Sequence, residues 1–211
     1  MSNSARNIVL DYLQIGAHVG KTSNDFLFDK DCSDKQFVLI EPVPYLYNEL
    51  VKNYEEKRKT NIITFLNIAI SNRDGNLQLY VPSEMNDFSK FPFWASQLAS
   101  TNEQHIQTHI PDLLVESITV PCFRLNTLIR NLNISHIEQL LVDTEGHDYD
   151  ILMDLDLHLL KPTTVQFENK HMDGIFSKNT NYTQLLDHFK QYGYTVIKED
   201  DEDTIISLHK N

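Results

Sequence analysis

Short apolar runs of strand length alternate with stretches of helical period along most of this chain, and that alternation constrains its fold more than any other feature. Strands are expected over residues 9–15, 37–40, 62–69, 139–142 and 164–167. Helices are expected between them, near residues 24–28, 44–56, 125–131, 148–160 and 182–192. Two further runs, 194–198 and 204–208, flank the acidic stretch 199–203 and read as an antiparallel hairpin closing one sheet edge. Strands that alternate with helices build crossover units, so the pattern predicts an α/β fold: a Rossmann-like, mostly parallel seven-stranded sheet.

One stretch breaks the alternation. Residues 77–81 read as an extra strand, and the following segment is aromatic, carries histidines and has no clear period. A long irregular connection inside a domain is usually a functional lid, so residues 76–119 are expected to be a lid-like insertion in a single domain spanning 1–211.

The chain carries 18 Lys and Arg against 30 Asp and Glu, a formal net charge of −12. A field of that sign repels phosphate backbones, which excludes nucleic acid as the expected partner. Lys52, Lys57, Arg58 and Lys59 are interleaved with Glu49, Glu55 and Glu56 and read as a solvated face. Two distant cysteines, no signal-peptide pattern and no apolar run long enough for a bilayer lead to the expectation of a reduced, cytoplasmic protein without membrane contact.

Ligands of open α/β sheets bind beyond the carboxyl ends of the strands. The first strand runs into Gly16-Ala17-His18-Val19-Gly20, where glycines let backbone approach a ligand. The second ends in Glu41, suited to accept from both hydroxyls of a ribose, and Pro42 then turns the chain. His18 occupies the middle glycine position of a dinucleotide fingerprint, so a nucleoside ligand without pyrophosphate fits better than a dinucleotide. A nucleotide-dependent oxidoreductase or epimerase, or a binding module without catalysis, stands as the alternative.

The fourth strand delivers Asp143, Glu145, His147 and Asp148 within six residues, and the fifth delivers Glu168, Asn169, Lys170 and His171. Asp148 also suits helix capping. Two chemistries fit this pair of strand ends. In one, Asp143, Glu145, Glu168, His171 or His147 takes a proton from an attacking hydroxyl. In the other, Asp143, Glu168 and Asn169 hold magnesium or manganese through oxygen. His105 and His109 are four apart and share a face if their segment is helical, without the rest of a zinc signature.

The successive blocks LQIGAHVGKTSND, LIEPVPYLYNEL, NIAIS, SQLAS, LLVDTEGHDYDIL and VQFENKH resemble the FkbM-type methyltransferases in matching order, from about Leu13 to His171. The resemblance implies a class I methyltransferase fold, S-adenosylmethionine as cofactor and transfer to an oxygen of a small molecule or glycan. It places Gly16, Ala17 and Gly20 around the methionine part, Glu41 at the ribose, and Ala69, Ile70 and Ser71 near the adenine. Gln14 stands where many class I enzymes have an acid, and Asp143 is a candidate for that role. Trp94, Gln97, Ser100, His105, His109 and His147 are the expected substrate contacts.

Overall fold

The structure is a computed structural model that describes residues 7–21, 27–28, 30, 32–172 and 178–209. Its main sheet uses strands β1 (Ile8–Ile15), β2 (Gln36–Ile40), β3 (Ile62–Leu66), β7 (Ile134–Val142), β8 (Thr164–Glu168), β9 (Tyr194–Glu199) and β10 (Asp203–Leu208). Their spatial order is β3-β2-β1-β7-β8-β10-β9. β1 pairs in parallel with β2 on one side and β7 on the other, so the chain order reverses at β1. β10 is antiparallel to both β8 and β9, which gives the expected hairpin edge.

The central strands are apolar because both faces are covered. On one face Leu10, Leu13, Leu140 and Val165 pack with Leu128 and Ile129 of α3 (Leu125–Asn131), Ile151 and Leu152 of α4 (Asp148–Asp154), and Leu185 and Phe189 of α5 (Thr180–Gln191). On the other, Tyr12, Phe37 and Leu39 meet Leu50 of α1 (Pro44–Asn53) and Tyr54. Pro44 starts α1 where its missing N–H and fixed φ cost nothing. The helix expected near residues 24–28 lies largely outside the described residues.

The stretch expected to be an irregular lid is more ordered than its sequence pattern suggests. β5 (Gly75–Pro82) and β6 (Val115–Phe123) form an antiparallel ribbon in register from Gly75↔Cys122 to Pro82↔Val115, and β4 (Ala69–Ile70) pairs with β6. At its tip two short 3-10 turns and α2 (Glu103–His109) enclose a small core of Ala95, Leu98, Ile106, Ile110 and Leu113. These residues come from several short elements, none long enough to display a period of its own.

The turn after β1 is a close crossing of two chains. Gly16 and Ala17 donate N–H to Ile40 O at 3.0 and 2.9 Å, and Asp143 donates N–H to Ile15 O at 3.0 Å. Gly16 has φ +80°, and a Cβ there would overlap the carbonyl oxygen of Asp143. Gly16→Ala is therefore expected to destabilise the fold by about 3 kcal/mol or more, read by chemical denaturation. A stability within about 0.5 kcal/mol of the parent would contradict this packing. Gly20 serves packing too: a Cβ there would meet the Tyr54 ring and Leu50, so this glycine seats α1.

Candidate active site

The reversal of strand order opens a cleft beyond the carboxyl ends of β1 and β7, and it widens into a cavity of about 780 Å³. Gln14, Gly16, Glu41, Pro42, Ala69 and Ile70 line it, together with Asp143, which lies against Gly16, and Glu145, Glu168 and His171. Trp94, Ser100, His109 and His147 also line it, so the insertion forms one wall. Ala17 and Ser71 are buried beneath this surface. The side chains of Gln97 and His105 lie outside the described residues.

Glu41 is 5% exposed and its carboxylate organises the first turn. Oε2 accepts from the His18 N–H and Oε1 from the Val43 N–H, each at 2.8 Å. Burial pushes its pKa up to about 7, and the two N–H donors only partly oppose this. Each oxygen keeps a further lone pair, so each can accept one more hydrogen bond. His18, at the middle glycine position of the turn, lines the cavity and has φ +46°. Burial lowers its pKa to about 4, against the Ser96 backbone and the charge of Glu145, and so keeps the ring neutral.

His171 Nδ1 lies 3.2 Å from Glu145 Oε2 and 3.0 Å from Glu168 Oε2. Hydrogen bonds and charge from these two carboxylates outweigh burial and raise the His171 pKa to about 9, so the ring is an imidazolium at neutral pH. Glu168 Oε1 also meets Lys170 Nζ at 2.9 Å. Asp143 is exposed to the cleft, yet protein surrounds it on the other sides. That burial, followed by the charges of Glu168, Glu145 and Asp148, holds its carboxyl well above the usual range.

Asp148 is a bridge and not the cap of its own helix. Its Oδ1 accepts from the N–H and hydroxyl of Thr144, and its Oδ2 accepts from the Glu168 N–H at 3.0 Å. It thereby ties the end of β7 to the end of β8, and burial with the Glu168 charge raises its pKa to about 7. His147 hydrogen-bonds Ser71 at 3.3 Å, joining two segments that were distant in sequence.

The oxygen triad expected from sequence does not assemble. Asn169 is fully buried and its amide donates to Asp200 O and Thr204 Oγ1 on the β10 side, away from the cleft. Successive residues of a strand point to opposite faces, so Glu168 in the cleft sends Asn169 out of it. Among the described residues the group with metal-ligand spacing is Glu145, Glu168 and His171, whose ligand atoms lie within 4.8 Å of one another. Lys170, Gln166, Glu202 and Asp203 also reach the cavity. Glu202 and Asp203 carry no sequence signal for this, because only the antiparallel return into β10 brings them to the strand ends.

A family model described as the methyltransferase FkbM domain matches residues 14–196, which contain Gly16, Glu41, Asp143 and His171 of this cleft. The chain belongs to the FkbM methyltransferase family. As a member it is an S-adenosylmethionine-dependent methyltransferase. No curated protein sequence matches this FkbM chain. Among solved structures it is similar to an O-methyltransferase from Bacillus cereus in complex with SAH, at 12% identity and TM-score 0.46, covering 94% of this chain and 73% of that one. It is also similar to Aeropyrum pernix fibrillarin with natively bound S-adenosyl-L-methionine, at 11% identity and TM-score 0.46, covering 95% and 66%. The Methanococcus jannaschii fibrillarin pre-rRNA processing protein matches at 12% identity and TM-score 0.44, covering 96% and 67%. These likenesses concern the fold alone. No helix of the described FkbM residues is long and apolar enough to cross a membrane.

The buried titratable groups of the FkbM domain set a pH dependence. A carboxyl whose folded pKa is raised binds its proton more tightly when folded, so Glu41 and Asp148 stabilise progressively less as pH rises from their ordinary range through about 7. His171 contributes stability fully below the unfolded value of 6.5 and loses it as pH rises through about 9. His18 acts oppositely, but its effect falls between 6.5 and about 4. The cofactor-free protein is thus expected to melt at a lower temperature at about pH 8.5 than at about pH 6.5. An equal or higher midpoint at the alkaline pH would contradict the assigned burial.

Proposed function

We propose that the chain, acting as one catalytic domain, methylates a hydroxyl oxygen of a small molecule or glycan. The observation that carries this reading is the shared cavity: its Gly16 and Glu41 lining suits a nucleoside, and a group of acids with an imidazolium lines the same cavity. Its volume of about 780 Å³ suits a cofactor together with an acceptor.

Glu41 would hold the ribose hydroxyls, Gly16 would let backbone approach the methionine part, and Ala69 and Ile70 would flank the adenine. When bound, S-adenosylmethionine supplies a methyl group that passes from sulfur to the acceptor oxygen while the hydroxyl proton leaves to a base. Asp143 is the base in this reading, because it lines the cavity and burial with the neighbouring acids raises its proton affinity. His171, already protonated, is not the base. It neutralises Glu145 and Glu168, and Lys170 shares that work at Glu168. Trp94, Ser100 and His109 would orient the acceptor from the insertion wall. His109 is placed for this, with its ring 6.3 Å from His171 and 6.5 Å from Trp94 between centroids.

Calorimetry with S-adenosylhomocysteine and with NAD tests the cofactor part of the reading. Binding of the first at micromolar affinity and none of the second is the expected result. Preference for NAD would instead favour an oxidoreductase or epimerase. Turnover of labelled S-adenosylmethionine with a hydroxyl library then separates an enzyme from a binding module.

A further inference from the structure

The cavity has a charge balance that selects among hydroxyl compounds. Six carboxylates line the cavity: Glu41, Asp143, Glu145, Glu168, Glu202 and Asp203. Among its described lining residues there is no arginine, and the single lysine, Lys170, is engaged by Glu168. His171 adds a second positive charge, engaged by Glu145 and Glu168. Even with Glu41 and Asp143 left out of the count, four carboxylates face two cations that already have partners. A sulfonium cofactor with a zwitterionic amino-acid part brings a net charge of only about +1, which leaves the site negative.

The rim adds a second feature. Phe93 lines the cavity while 78% exposed, and Trp94 stands beside it on the same wall. An open aromatic face on a cavity lined by carboxylates is the surroundings in which an organic ammonium is bound, through the ring quadrupole and through charge. Glu202, just before β10, and Asp203, its first residue, line the cavity, and Asp203 Oδ2 accepts from Gln166 Nε2 at 3.3 Å.

We propose that the methyl acceptor is a polyhydroxylated amine, such as an amino sugar, whose ammonium is held by the Glu202 and Asp203 side of the cleft and the Phe93–Trp94 rim. This rests on the methyltransferase reading above and names the substrate class for the same site. Phosphorylated and carboxylated sugars are rejected by the same field. Nucleic acids are rejected too, since their backbone would meet uncompensated carboxylates.

The test uses the full chain saturated with S-adenosylhomocysteine and three matched probes: glucosamine, N-acetylglucosamine and glucuronic acid, with affinities from ligand-observed NMR titration. Glucosamine is expected to bind about fivefold or more tighter than N-acetylglucosamine, with glucuronic acid weakest. Raising salt from about 50 to about 300 mM should weaken glucosamine and spare the acetylated sugar. Glu202→Gln, at an exposed position outside the residues assigned to the cofactor, should reduce the preference about threefold while S-adenosylhomocysteine affinity stays unchanged. Equal or better binding of the neutral or anionic sugar, or no sugar binding to a protein that binds S-adenosylhomocysteine, overturns the proposal. Failure to bind S-adenosylhomocysteine at all would instead strike the methyltransferase reading.

Discussion

Asp143→Asn is expected to lower kcat about a hundredfold or more while S-adenosylhomocysteine affinity stays within about threefold. Asparagine preserves shape and hydrogen-bonding capacity but cannot take a proton. The reason to choose Asp143 lies in its neighbours: burial and three nearby acids raise its pKa, whereas the two carboxylates beside His171 keep that ring protonated. His171→Ala should also impair turnover, by leaving Glu145 and Glu168 without the cation between them. The pH profile separates the two roles, since only the Asp143 variant should lose the acid limb of kcat. Thorough chelation should leave turnover intact. If chelation abolishes it and magnesium or manganese restores it, the general-base account fails, and Glu145, Glu168 and His171 become the ligands, with His171 giving up its proton to the solvent.

Glu41→Ala is expected to weaken S-adenosylhomocysteine binding by at least about 1.5 kcal/mol, a loss of more than about tenfold. Two costs combine in this variant. The ribose loses its charge-assisted acceptor, and the N–H groups of His18 and Val43 lose theirs, so the turn itself loosens. Glu41→Gln distinguishes these contributions. It retains one acceptor oxygen at nearly the same volume, and should recover part of the melting temperature while still binding more weakly than the parent. Calorimetry on all three proteins reads the result, and unchanged affinity in the alanine variant would sink the ribose assignment.

The sequence by itself determined the sheet. β1, β2, β7 and β8 are buried on both faces, so they stand out as apolar runs, and residues immediately beyond them, Gly16, Glu41, Asp143 and Glu168, could be placed at one edge before any contact was known. It also determined the hairpin edge, because the acidic turn between β9 and β10 separates two runs of strand pattern.

Tertiary structure decided what those residues do. The register that pairs Val142 with Phe167 brings Glu145 against His171, 26 positions away, and that meeting makes His171 an acid-bound cation and not a free base. The exclusion of Asn169 from the cleft was legible in principle from the alternation of strand residues, but which of Glu168 and Asn169 faces inward depends on the β10 partner. The insertion concealed its core because Ala95, Leu98, Ile106, Ile110 and Leu113 are spread over elements too short to show a repeat. Glu202 and Asp203 were hidden for a related reason. Periodicity reports which face of one element is buried, whereas a cleft is made where several elements end, and only the three-dimensional path of the chain brings those ends together.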